Sequence, residues 1–175
     1  LVGPELPGVD GSCQPFLQAL QAAQPVELDV AAPVYQITEP ITVREGNAMI
    51  AALPSETPEL SILYDLDYSE NNPLGRQVYA LNLTPEQFVS QIAPARTFLL
   101  QQEADHLRQS GYGTHLTYQD ILVLGPAGNP IDNEFRFADE PVRHKILDLV
   151  GDLAVLGRRI TGRIVCYKSG HSLNQ

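Results

Sequence analysis

The chain has 175 residues and is acidic, because 21 aspartates and glutamates outnumber 11 lysines and arginines and give a net charge of −10. This charge argues against sequence-independent binding to nucleic acid or to an anionic membrane surface. The hydrophobic content of 43% is typical of a globular protein. No apolar run approaches the ~20 residues that a transmembrane helix needs.

The cysteines and the first residues bear on where the protein works. Cys13 and Cys166 lack the spacing of a metal-binding motif and do not require an oxidising compartment, so we expect a cytoplasmic protein. The chain begins LVGPELPG, without an initiator Met or a signal-like sequence. We therefore expect further sequence upstream of Leu1.

The first part of the chain predicts a short tail of irregular and helical structure. Residues 1–11 contain Pro, Gly and Asp-Gly signals and predict an extended segment with a turn. Ser12 can cap a short helix, and Val26–Val30 predicts a strand before an Ala-Ala-Pro boundary. The apolar stripe of this helix consists of Phe16, Leu17 and Leu20. Because the helix has too little around it for a core, residues 1–32 are predicted to complete a domain that begins upstream.

Residues 34–83 predict a mostly antiparallel sheet with one buried face, because short apolar runs alternate with turn signals. The predicted strands are Val34–Ile37, Ile41–Arg44, Ala48–Leu53, Leu60–Leu66 and Gln77–Leu83. We expect the first two strands to pair around a Glu-Pro turn.

Helices and strands alternate after residue 83. Thr84 opens a capping box and a short helix through Ile92, and a second helix is predicted over Arg96–Ser110. A strand at Ile121–Leu124, a helix at Asp139–Gly157, a strand at Arg159–Tyr167 and a loop at Lys168–His171 complete the chain. This order predicts an α+β two-layer sandwich with helices on one face of a mostly antiparallel sheet.

The helix predicted at Asp139–Gly157 separates its residues by chemistry. Its apolar face consists of Val142, Ile146, Leu149, Leu153 and Leu156. His144, Asp148 and Asp152 follow at four-residue intervals on another stripe, with Lys145 on the edge nearest the core. A histidine and a carboxylate one turn apart can bind the same cation, although such a pair on a helix is more often a solvated face.

Two further segments supply polar groups. Thr97 lies near the start of the predicted second helix, where its hydroxyl can stabilise negative charge or can serve only as a local cap. Lys168 and His171 lie in the loop YKSGH, where His171 is either a general acid or a surface histidine. Together these groups are those of a metal-assisted hydrolase that still lacks one metal ligand and a general base.

Three stretches resemble the UDP-3-O-acyl-N-acetylglucosamine deacetylase family, which comprises zinc amidases of lipid A biosynthesis. They are PELPGVDGS with the following PF, the segment ARTF at residues 95–98, and VRHKILDLVGDLAVLGRRITGRI followed by YKSGHSLN. They occur in the family's order and span the chain. The family has two similar α+β domains with the active site between them. The resemblance therefore implies the tail of the first domain at 1–32 and the whole second domain at 33–175.

The resemblance also implies residue roles. His144 and Asp148 match two of three zinc ligands, His171 matches the group that protonates the leaving amine, and Asp152 matches its carboxylate partner. Positions that match the remaining roles are Thr97 for the oxyanion, Lys145 for catalysis and substrate charge, and Phe98 and Lys168 for substrate contact. The implied reaction removes acetate from the substrate, with Zn²⁺ as cofactor, and we expect a monomer.

The third zinc ligand of the family is a histidine in the first domain, preceded by a Glu that acts as general base. Neither His106 nor His115 lies in such a motif, so we expect both residues upstream of Leu1 and a chain that alone binds zinc weakly and is inactive. The alternative is a non-catalytic nucleotide-sugar or acyl-group binding module. The family's His-Pro stretch reads Leu66–Ser69 here, which leaves open whether Tyr68 stacks uridine. The chain also departs from the family at 114–116, so no acyl length is implied.

Overall fold

A computed structural model describes residues 8–68, 72 and 74–174. The segment expected to be extended at 1–7, and Ser69 of the altered stretch, lie outside these residues. The helices are α1 (Gln14–Ala22), α2 (Pro85–Gln87) with a π-helical continuation at Phe88–Ile92, α3 (Gln101–Gln109), α4 (Glu140–Ala154) and α5 (His171–Asn174). The strands are β1 (Val34–Gln36), β2 (Ile41–Glu45), β3 (Ala48–Leu53), β4 (Leu60–Asp67), β5 (Arg76–Leu83), β6 (Phe98–Leu100), β7 (Leu122–Leu124) and β8 (Arg159–Tyr167).

The last strand, β8, lies at the centre of the main sheet. Five strands follow the order β2-β3-β8-β4-β5, with β3 antiparallel and β4 parallel to β8. Strand β1 pairs in parallel with the first three residues of β8, on the edge that β3 occupies further along. Gly162 lies where β8 changes partner from β1 to β3. A side chain at this position would meet Leu53 O at 2.9 Å, so the close approach of the strands requires glycine. The fold is the predicted α+β class with a mostly antiparallel sheet.

One face of the sheet is covered by helix α4. Along β4 the buried side chains alternate, and Ile62 and Tyr64 are completely buried. From α4, the side chains of Val142, Ile146 and Leu149 are also completely buried and join the same apolar core. This packing determines how α4 is rotated, and therefore where its polar stripe faces.

The structure corrects several sequence-based predictions in the first half of the chain. Val26–Val30 forms no strand, and its valines and Leu28 are exposed, because no described strand lies beside them. The predicted pairing of the first two strands is also wrong, because β1 pairs with β8 and β2 pairs with β3.

The second predicted helix begins five residues later than expected. Phe98–Leu100 instead pairs in parallel with Leu122–Leu124, a long-range contact that local periodicity cannot reveal. Helix α3 starts at Gln101, where the Glu103 carboxylate accepts a hydrogen bond from Leu100 N at 2.8 Å. Thr97 therefore does not lie at a helix N-terminus, which was the basis of its first interpretation.

Other corrections concern the end of α4 and the start of α5. Leu156 is exposed because α4 ends at Ala154, so it does not extend the apolar face. Gly157 follows with a positive φ of 63°, as expected for the residue that ends a helix. His171 is the first residue of α5 rather than the end of a loop. In the described part of the chain, no helix combines the length and the hydrophobicity needed to cross a membrane.

Candidate active site

Helix α4 presents its polar stripe at the point where the start of β6 and the end of β8 approach it. Pro141 suits the first turn, while the buried side chains of Val142 and Ile146 hold the helix on the sheet. A different face of the helix carries His144, Asp148 and Asp152 on successive turns. The structure therefore places the stripe between elements that are distant in sequence.

His144 is buried and has a partner on each ring nitrogen. Its Nδ1 lies 3.1 Å from the carbonyl oxygen of Ala95, and its Nε2 lies 3.2 Å from Asp148 Oδ1. A carbonyl oxygen only accepts hydrogen bonds, so Nδ1 carries the proton in this contact. The contact with Ala95 leaves Nε2 facing Asp148 and links α4 to the segment that contains Thr97.

Asp148 lies beside three basic side chains, those of His144, Lys145 and His171. Its Oδ2 accepts a hydrogen bond from Lys145 Nζ at 2.6 Å and lies 3.8 Å from Nε2 of His171. Burial opposes ionisation of this carboxyl, but the hydrogen bond from His144 and the charge of Lys145 outweigh it and lower its pKa to about 2. Asp148 is therefore anionic at neutral pH.

His171 and Asp152 form the second pair of the cluster. The Nδ1 of His171 lies 3.0 and 2.9 Å from the two oxygens of the Asp152 carboxylate. Asn174 reaches the same carboxylate, because its Nδ2 lies 2.9 Å from Asp152 Oδ2. Sequence reasoning missed Asn174. Its position three residues after His171 was visible, but nothing marked it as a contact of α4.

The segment before His171 is held in place by strand β4 of the sheet. The buried Tyr64 hydroxyl on β4 donates to the carbonyl oxygen of Ser169 and accepts from Ser169 Oγ at 3.2 Å. Burial raises the pKa of Tyr64 far above its usual value, so the hydroxyl remains a donor. Lys168 has a left-handed φ of 51°, and its Nζ pairs with Asp67 at 3.6 Å. Lys168 thus reaches toward the end of β4.

Thr97 is fixed by its backbone rather than by a helix. Its N–H donates to the carbonyl oxygen of Gly11 at 2.8 Å. Gly11 has a φ of 76°, and a side chain there would lie 2.8 Å from Thr97 Cγ2, so only glycine fits. The neighbouring Ala95 carbonyl binds His144, which brings Thr97 within two residues of the cluster. Phe98, the first residue of β6, is half-buried against the core.

His144 and Asp148 fit a divalent metal such as zinc by their chemistry and spacing. An imidazole nitrogen and a carboxylate oxygen are ligands that zinc accepts, and two ligands on a tetrahedral zinc lie roughly 3.3 Å apart. The observed separation of 3.2 Å matches this value. Among the described residues, no group of three or more His, Cys, Asp or Glu side chains is placed to hold a metal. The described residues therefore bring together two groups whose chemistry suits a metal.

An apolar cavity of about 610 Å³ lies at the other end of α4. Leu60, Phe88 and Leu153 line it, together with Arg158 and Arg159. None of the predicted site residues lines this cavity, so it is separate from the histidine–carboxylate cluster.

The fold and the cluster define an α+β chain with a histidine–carboxylate centre formed by one sheet-packed helix and the end of the central strand. The chain belongs to the UDP-3-O-acyl N-acetylglycosamine deacetylase family, whose family model matches residues 1–175. The resemblance found in the sequence is thereby confirmed.

Individual relatives agree with this family. The UDP-3-O-acyl-N-acetylglucosamine deacetylase of Thermosynechococcus vestitus is 39% identical over 176 residues, which cover 99% of this chain and 59% of the relative. Those of a Nostoc species and of Chlamydia pneumoniae are 39% and 36% identical, over 98% of this chain and 62% and 60% of the relatives. The chain thus spans about six-tenths of the length of these relatives.

Proposed function

We propose that this chain is the C-terminal part of a zinc-dependent amidase that removes acetate from UDP-3-O-acyl-N-acetylglucosamine. The observation that carries the proposal is the 3.2 Å separation of His144 Nε2 and Asp148 Oδ1, with Nδ1 of His144 already bound to the Ala95 carbonyl. This arrangement supplies two zinc ligands and the outer contact that orients one of them. The names of the relatives supply the substrate.

Two ligands from α4 require a third ligand from elsewhere in the protein. We expect this ligand, a histidine, and a glutamate that acts as general base in a segment outside residues 1–175, in keeping with the greater length of the relatives. When bound, zinc would acidify a water molecule and polarise the acetamide carbonyl. Residues 1–32 would then belong to the tail of a first domain and residues 33–175 to the second.

His171 would complete the reaction as general acid. Asp152 binds its Nδ1 at 2.9 Å and leaves Nε2 on the side of Asp148, from where it would give its proton to the leaving amine. The water would give a proton to the general base as its oxygen bonds to the carbonyl carbon and the carbonyl oxygen becomes an oxyanion. When the carbon–nitrogen bond then breaks, the amine would take the Nε2 proton, and acetate and the free amine would leave. An unprotonated amine leaves poorly, so this proton transfer is a separate requirement from metal binding.

The other predicted residues would act on substrate charge. The Thr97 hydroxyl would stabilise the oxyanion, and Lys145, which lies 2.6 Å from Asp148, would support the transition state and substrate charge. Phe98 and Lys168 would contact the substrate outside the reacting bond. A cytoplasmic location and a monomeric state remain predictions that accompany this function.

The full-length protein tests the proposal through two substitutions with opposite signatures. His171→Ala should lower turnover sharply while bound zinc stays nearly stoichiometric, because His171 acts on the leaving group. Asp148→Ala should lose the metal itself. His106→Ala is the matched control, because His106 is exposed on α3 and should change neither quantity. Zinc content by elemental analysis and acetate release are the measurements.

Each failure has a distinct meaning. Loss of zinc in His171→Ala would show that its assignment is wrong. A wild-type protein that binds the nucleotide sugar without releasing acetate would support a non-catalytic binding module instead. Purified residues 1–175 should bind zinc weakly and show no turnover. Activity near that of the full-length protein would contradict a site that needs residues from outside this range.

A further inference from the structure

Asn174 contacts the Asp152 carboxylate, which also binds His171. It is 8% exposed on the short helix α5, and its position is held by a hydrogen bond from its own N–H to the Gly170 carbonyl. Its side-chain Nδ2 lies 2.9 Å from Oδ2 of Asp152, and that same oxygen lies 2.9 Å from Nδ1 of His171. A carboxylate oxygen only accepts, so the amide directs its N–H₂ group toward Asp152.

The other half of this amide is unsatisfied. Asn174 Oδ1 is buried, and no described residue gives it a hydrogen bond. A buried carbonyl without a donor destabilises the folded state, whereas leucine has a similar size and no polar atom to satisfy. Fold stability alone therefore does not explain an asparagine here. The contact with Asp152 does.

We propose that Asn174 is a positioning residue that holds the Asp152 carboxylate in the orientation that binds His171. This inference rests on the proposed function of His171 as general acid. The Asp152 carboxylate can rotate about its bond to Cβ, and the His171 side chain is 63% exposed, so solvent competes for the pair on that side. A donor from the buried side fixes one oxygen and leaves the carboxylate turned toward the imidazole.

Asn174→Leu in the zinc-loaded full-length protein tests the inference. We expect kcat to fall roughly 10-fold, as for other residues that orient catalytic groups. KM and zinc content should stay within about twofold, and the melting temperature should change little, because removal of an unsatisfied carbonyl offsets the lost hydrogen bond to Asp152. The matched control is Ser172→Ala on the same helix, since Ser172 is exposed and bonds Glu45 rather than Asp152.

A double substitution shows whether Asn174 acts through Asp152. If it does, Asn174→Leu should change kcat little in a protein that already carries Asp152→Ala, because the contact is already gone. The inference would be overturned if the double variant lost kcat by the product of the two single fold-reductions. It would also be overturned if Asn174→Leu kept the wild-type kcat. A lower kcat explained by a lower melting temperature would also overturn it.

The ring nitrogens of His171 separate this inference from the proposed function. Their ¹⁵N resonances report the bond to Asp152 even in a protein without deacetylase activity. Asn174→Leu should shift the Nδ1 resonance, and Ser172→Ala should not. A shift in a protein that releases no acetate would keep the positioning role and reject the proposed function. Unshifted resonances in an active protein would reject the positioning role alone.

Discussion

Replacing Glu140 with Gln tests the buried ion pair that joins the Thr97 segment to the first turn of α4. The Glu140 side chain is fully buried, and its Oε1 accepts from Arg96 N at 3.0 Å and from Arg96 Nε at 2.8 Å. Its Oε2 accepts from Arg96 Nη2 at 3.1 Å and from Arg136 N at 2.7 Å. A glutamine has one acceptor oxygen, so its amide N–H₂ would face donors on one side.

The magnitude follows from burial. Arg96 is 7% exposed, so Glu140→Gln leaves a guanidinium in the interior without an anionic partner. Breaking a buried pair in this way costs about 3–5 kcal/mol of unfolding free energy. In a domain of this size that loss corresponds to a melting temperature roughly 6–20 °C lower. The Ala95 carbonyl that orients His144 precedes Arg96, so zinc affinity should fall as well.

Calorimetry of the full-length protein, with zinc titration of each variant, measures both effects. The control is Arg76→Met, which removes an exposed pair with Asp65 and should shift the melting temperature far less. A Glu140→Gln protein with the melting temperature of the wild type would refute the reasoning that this pair supports the site. Normal zinc affinity in a destabilised variant would refute only the claim that the Arg96–Glu140 pair helps to orient His144.

Three further changes have expected outcomes. Tyr64→Phe should lower stability by about 1–3 kcal/mol, because the Ser169 carbonyl loses its donor, and should lower kcat through the His171 segment, as calorimetry and acetate release will show. Gly11→Ala should destabilise by about 1–3 kcal/mol, since its φ of 76° and the contact with Thr97 exclude a side chain. Iodoacetamide at pH 8 should spare Cys166, because burial raises its pKa to about 11 and leaves roughly 0.1% thiolate, as mass spectrometry will show.

The controls for these changes lie in the same chain. Gly8→Ala meets open space and should be neutral, so equal effects at the two glycines would contradict the packing argument. Cys13 is only partly buried and should be alkylated first. Faster modification of Cys166 in the folded protein would contradict its burial. An unchanged kcat in Tyr64→Phe would show that the sheet does not position His171.

Several features could be predicted because they depend on local pattern. The polar stripe of α4 follows from residues four apart, and its buried face follows from the same period up to the end of the helix at Ala154. Strands β3, β4, β5 and β8 were visible as bounded apolar runs. The N-cap at Thr84 was also predicted correctly, since Gln87 N donates to the Thr84 hydroxyl oxygen. The reciprocal half of the capping box does not form, because Thr84 N donates to the Asn82 carbonyl oxygen.

Features that depend on distant partners could not be predicted. Phe98–Leu100 became a strand because it pairs with Leu122–Leu124, although its local sequence suits a helix. Val26–Val30 has the composition of a strand but no described strand beside it. The buried pair of Arg96 and Glu140 joins residues 44 positions apart, and each looks like an ordinary surface charge in sequence.

The sequence by itself determined the class of the fold, the spacing of His144, Asp148 and Asp152, and the family. These properties are carried by periodicity and by long matching segments. Only the tertiary structure decided that His144 binds the Ala95 carbonyl, that Asn174 supports Asp152, and that a glycine at position 11 fixes Thr97. The physical reason is that hydrogen-bond partners and burial depend on which chain segments the core brings together, and residue spacing carries no information about them.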